Sequence, residues 1–263
     1  MNARVRLHRI EADPVTLHFS PGYGQRAREL GELVAEAHHF LEAWLGVEAH
    51  TTLSVLRQEN WRYLRRAPYG YLHSSPEQAT IFAPARYPPR LVERTRALYD
   101  AAPPDLQQRL CSTDSADLQA HIDTFYRLVV VHELGHLFIH HLQLALGTRW
   151  LTELIANLFA TAFFQEARPD LATCWHAWAD IQASLDVPHR SLKAYEQHFD
   201  RLDFANANFY QGRFNQQALH LWQSEGRNLI PALVAQFSLR HDPVLSRFQR
   251  ATPHFGWPDG TTT

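Results

Sequence analysis

The stretch "VVVHELGHLFIHH", Val129 to His141, sets four histidines and one glutamate into a run that is otherwise apolar apart from Gly135. Apolar residues on every side predict a helix buried in the body of the protein. An uncompensated carboxylate at Glu133 is costly in such a place, and a metal site removes the difficulty. His132 and His136 are four residues apart, about 400° of helical rotation, so both imidazoles leave one face about one turn apart and can meet a single ion. The pattern His-Glu-x-x-His suits zinc, because imidazole nitrogen is a ready ligand and Glu133, beside the first ligand, can take a proton from a metal-activated water. His140 lies about 12 Å from His132 along a straight helix, too far to share the ion, so His140 and His141 read as structural or surface residues.

A catalytic zinc takes three protein ligands and leaves a position open, so a third ligand must come from elsewhere. The segment "WLTELIANLFATAFFQEA", Trp150 to Ala167, supplies Glu153, flanked by Leu151, Leu154, Ile155 and Leu158, where an ordinary surface glutamate would be poorly placed. A turn near Gly147 and antiparallel packing would return Glu153 to the two histidines. Thr152 is a candidate cap for this helix. Asn157, four residues on, shares its face and can hold the free nitrogen of a ligating histidine through its side-chain oxygen, or face solvent.

Working outward, "VTLHF" (Val15 to Phe19) and "TTLSVL" (Thr51 to Leu56) read as strands, with a helix in "QRARELGELVAEAHHFLEAWLG" between them and Gly46 as its stop. The runs "YGYLHS" and "ATIFAP", separated by Ser74, Ser75 and Pro76, predict a hairpin or an edge strand. Prolines 84, 88, 89, 103 and 104 then bracket short helices, and from about Asp117 onward the periodic segments are helical. Strands first and helices afterwards give an α+β fold. The expectation is one domain over residues 1–263, with the sheet in 1–116, the metal site in a helical 117–250, and a loop or tail at 251–263. Trp175, Trp178, Tyr195, Phe199, Trp222 and Trp257 could line a surface, but at helical spacing most of them read as core.

With His132, Glu133, His136 and Glu153 in hand, the chain resembles the gluzincin metallopeptidases, the thermolysin and aminopeptidase N superfamily. Its "ELIANLFATAF" is also similar to the regulatory metallopeptidases of the ImmA/IrrE type. The resemblance is strong over Leu128 to Phe164 only. It implies a zincin-like fold, with a small mixed sheet over the active-site helix, and one zinc ion held by His132, His136 and Glu153. A weaker similarity covers Asn208 to Phe237, where Tyr210 matches a tyrosine that in the family hydrogen-bonds the oxyanion. The resemblance also makes Tyr69 to Pro84 the sheet edge along which an extended substrate can add as a strand. Two departures stand out: the Gly-x-Met-Glu-Asn strand of the exopeptidases is absent before His132, and thermolysin has aspartate where Asn157 stands.

The function implied is a zinc-dependent peptidase that hydrolyses peptide bonds through a metal-activated water, with Glu133 as base. The alternative is a gluzincin-like regulatory or peptide-binding protein with little or no turnover. A net charge of −2 leaves no global basic field, so neither nucleic acid nor an anionic membrane is an expected partner; a peptide or protein is. Two cysteines, no apolar leader and no long apolar run lead to the expectation of a cytoplasmic protein.

Overall fold

Alternation is what builds the sheet. In β2 (Val15–Phe19), β3 (Thr51–Leu56) and β5 (Thr80–Pro84), the aligned residues Leu17, Leu53 and Ile81 fall on one face and are buried together. β2, β3 and β5 run parallel, while β1 (His8–Ile10) and β4 (His73–Ser75) pair antiparallel at the two edges, in the order β1-β2-β3-β5-β4. Phe82 points the opposite way from Ile81 and joins Leu56 and Trp61 in a small second cluster. The expected hairpin over 69–84 is β4–β5, with β4 as the edge strand. β1 was not expected, because "HRI" is too short and too polar to carry a strand signature.

The computed structural model describes residues 6–64, 68–111 and 117–237, together with Phe248 and Trp257. The expected tail at 251–263 lies outside the described residues apart from Trp257, which is buried. α1 (Gly24–Leu45) crosses from β2 to β3 and buries Leu30, Val34 and Leu41; it ends where Gly46 takes the left-handed conformation at φ 65°. α2 (Gln58–Leu64) follows β3, and α3 (Pro89–Asp100) and α4 (Pro104–Cys111) follow β5, the first opening on prolines as anticipated.

α5 (Leu118–His141) opens at Asp117, whose side chain accepts the Gln119 amide, and runs beneath the sheet against β4 and β5. α6 (Arg149–Glu166) packs along α5, and α7 (Pro169–Ala183) and α9 (Phe204–Glu225) close the far side; α8 (Leu192–His198) and α10 (Leu229–Phe237) complete the helical half. The cap of α6 differs from expectation: Thr148 occupies the cap position, and Thr152 sits inside the first turn, its hydroxyl donating back to the Thr148 carbonyl. The result is an α+β structure with a small mixed five-stranded sheet on a helical body. Among the described residues, no helix is long and apolar enough to cross a membrane.

Candidate active site

Nearly all of α5 from Leu128 to Ile139 is buried, with Val129, Glu133 and His136 half-buried. Val129, His132, Glu133, His136 and His140 line one cavity of about 840 Å³. They recur at three and four, one stripe of one helix. Gly135 lies on another side, where a β-carbon would come within 2.8 Å of the Ala156 carbonyl oxygen. Its missing side chain lets α5 and α6 approach backbone to backbone. That closeness carries Glu153, one turn before Ala156–Asn157, to the histidines.

The three proposed ligands meet. Nε2 of His132 and Nε2 of His136 are 3.1 Å apart, and Glu153 Oε2 lies 3.2 Å from the first and 3.6 Å from the second. Among the described residues they form the cluster of three metal-binding side chains whose ligand atoms lie within 4.8 Å of one another. Ligands at 2.0–2.2 Å from a tetrahedral zinc stand about 3.3 Å from each other, so the observed triangle has the size of a zinc face. Burial alone would lower the His136 pKa, but the Glu153 charge and hydrogen bond outweigh it and hold it up at about 9. Burial would raise Glu153, and the His136 and His132 rings instead hold it well below the ordinary carboxylate range. The site thus pools negative charge that either protons or a cation must balance.

A second layer fixes the carboxylate. Gln211 on α9 donates from Nε2 to Glu153 Oε2 at 2.8 Å, and Asn157 donates to Gln211 Oε1 at 3.1 Å and to the Glu153 carbonyl at 2.9 Å. Asn157 therefore neither holds a histidine nitrogen nor faces solvent, the two readings open from the sequence; it holds the amide that holds Glu153. Nδ1 of His132 is sealed from solvent with no hydrogen-bond partner among the described residues. α9 comes this close because Gly212 abuts α7: a β-carbon there would stand 2.6 Å from the Ala179 carbonyl.

Glu133 lines the same cavity, and its Oε2 accepts the backbone amide of Ser74, on edge strand β4, at 2.7 Å. His140 and His141 are exposed in the last turn of α5 and stand outside the cluster. Tyr210 corrects the expectation. It is fully buried among Tyr195, Phe214 and Trp257, its hydroxyl donates to the Ser191 carbonyl at 2.9 Å, and it is absent from the cavity lining. One residue is 100° of helix, so turning Gln211 to Glu153 turns Tyr210 to the core.

Among the described residues, three tyrosines line the cavity: Tyr71 at its exposed rim, Tyr126, whose hydroxyl is paired with Thr95, and Tyr195, on α8. The Tyr195 pKa is raised, first by burial and then by the Glu153 charge. Its hydroxyl makes no hydrogen bond to a described residue. α8 is anchored for this: the Ser191 hydroxyl caps it by accepting the Ala194 amide, and Glu196 accepts the Trp150 amide at the start of α6. Of the aromatics singled out in the sequence, Trp175, Trp178, Tyr195, Trp222 and Trp257 are buried, as expected of core residues, and Phe199 is exposed; Trp175, Tyr195 and Phe199 also line the cavity. Tyr71 and Phe199 are the exposed large hydrophobics among the described residues, at 40% and 37%, and both line this cavity.

No protein-family model matches the chain, and no curated protein matches it.

Proposed function

We propose that the protein is a zinc-dependent peptidase of gluzincin type, its zincin-like sheet lying above the α5 helix. The observation that carries this reading is the convergence of His132, His136 and Glu153 within 3.1–3.6 Å, on the wall of a cavity that also holds Glu133. His132, His136 and Glu153 would hold one zinc ion. What zinc supplies there is Lewis acidity, which polarises a carbonyl and acidifies water at neutral pH.

Glu133 takes the proton of the attacking water and delivers it to the departing amine. The Ser74 amide holds one of its oxygens, and the other makes no hydrogen bond to a described residue. Tyr195 offers the phenol that donates to the oxyanion, the role that the family resemblance implies for Tyr210. β4, the edge strand that supplies the Ser74 amide, borders the cavity, and Tyr71 and Phe199 provide apolar contact at its rim. An extended peptide suits such a rim.

The test is an unbiased peptide-cleavage screen of wild type and Glu133→Gln. Cleavage by wild type that is abolished in the variant, with zinc retained, supports the peptidase. Equal cleavage by both overturns the mechanism. Tight peptide binding without cleavage by either favours the regulatory alternative.

A further inference from the structure

The cavity continues well past the metal ligands. Along α5 it follows Val129 and then Phe125, which lies seven residues before His132, about 10 Å down the helix. Along α9 it follows Gln211 and then Asn215, one turn further on. At this inner end the adjacent rings of Phe125 and Trp175 form an apolar wall, with centroids 6.1 Å apart.

Asn215 is 4% exposed, and its orientation is fixed from behind. Gln165 Nε2 lies 3.0 Å from His176 Nε2, and His176 Nδ1 lies 3.0 Å from Asn215 Oδ1. An amide nitrogen only donates, so His176 Nε2 accepts, its Nδ1 carries the hydrogen, and Asn215 Oδ1 receives it. Burial lowers the His176 pKa and keeps this neutral tautomer. The relay leaves the Asn215 NH2 group with no described partner, although it is not sealed from the cavity it lines.

Its neighbours on the wall are neutral. Asn208 is satisfied by Gln182 and the Phe204 carbonyl, and among the described residues no lysine or arginine lines the cavity. At the inner end a carboxylate side chain would find no described lysine or arginine to pair with. A guanidinium or ammonium would find carboxamides in place of a carboxylate at the inner end. An aliphatic side chain would leave the Asn215 donors unpaired.

Resting on the peptidase reading, we propose that this inner pocket receives the side chain of a residue flanking the scissile bond. It selects a large uncharged ring with a hydrogen-bond acceptor at its tip, which among the ordinary amino acids is tyrosine. Phe125 and Trp175 take the ring, and the Asn215 amide takes the phenol oxygen.

The test uses peptides identical except for Tyr, Phe, Gln, Arg or Glu at each position flanking the cleaved bond. Wild type should favour Tyr over Phe by about three- to tenfold in kcat/KM, the range one neutral hydrogen bond supplies. Arg and Glu should be the poorest substrates. Asn215→Leu should erase the Tyr-over-Phe preference while cleavage beside Phe persists. Asn215→Asp keeps the bond to His176 and, by placing a carboxylate at the inner end, should raise cleavage beside Arg. A wild-type preference for Arg or Glu, or a Tyr/Phe ratio unchanged in Asn215→Leu, overturns the assignment. Should wild type cleave none of the peptides, the peptidase reading falls by itself, and binding to zinc-loaded Glu133→Gln decides the pocket. Tighter binding of the Tyr peptide supports it, and equal or absent binding overturns it.

Discussion

Gly135 and Ala156 touch backbone to backbone: a β-carbon on the glycine would stand 2.8 Å from the alanine carbonyl oxygen and 3.0 Å from its α-carbon. Neither neighbour is a flexible side-chain end, so the helices must separate to admit a methyl group. Gly135→Ala is therefore expected to cost about 1–3 kcal/mol of stability, as overpacking does. Because Glu153 rides on the displaced helix, zinc affinity should fall too. Thermal unfolding and zinc titration check both, and an unchanged variant would show that the close crossing does not position the ligand.

The amide of Gln211 orients the carboxylate of Glu153, with Asn157 behind it. Replacing such an outer partner typically costs ten- to a hundredfold in metal affinity. Gln211→Leu should fall by about that factor, and Asn157→Ala by less, in competition with a chelator.

Zinc uptake should release a proton. In the metal-free protein His136 is held up at about 9 and Glu153 well below its usual range, so at neutral pH the imidazole is charged and the carboxylate is already ionised. The proton on His136 competes with the metal. Affinity should rise by about tenfold per pH unit through neutrality and level off above the His136 pKa. Calorimetry in buffers of different ionisation heat measures the released proton, and an affinity that does not change with pH through neutrality would contradict the pairing.

The two tyrosines separate by function. Tyr195→Phe should lower kcat by about a hundredfold, the scale of losing one oxyanion donor, with zinc retained. Tyr210→Phe removes the bond to the Ser191 carbonyl at the start of α8, outside the cavity, so it should cost about 1 kcal/mol of stability and leave kcat within a few fold. The reverse ranking would restore Tyr210 to the site.

Much of this was legible in the chain because it is local. Four-residue spacing puts His132 and His136 on one face whatever surrounds them, and the β2–α1–β3 unit declares itself through its alternation and Gly46. Glu153 was reachable because a single short connection joins α5 to α6. The parts that were missed depend on distant packing. Gln211 reaches Glu153 only because Gly212 lets α9 close on α7, and Ser74 meets Glu133 only because β4 lies at the edge over α5. Tyr210 and Gln211 are adjacent in sequence, and nothing local says which of them faces the cavity.

His132, His136 and Glu153 are proposed to hold one catalytic zinc ion. Elemental analysis of metal-replete protein, alongside His136→Ala and Glu133→Gln, tests it most directly. About one zinc per chain in wild type and in Glu133→Gln, and its loss in His136→Ala, is the result expected of a three-ligand site with a separate base. Wild-type protein without zinc, or His136→Ala that keeps its full complement, would contradict it.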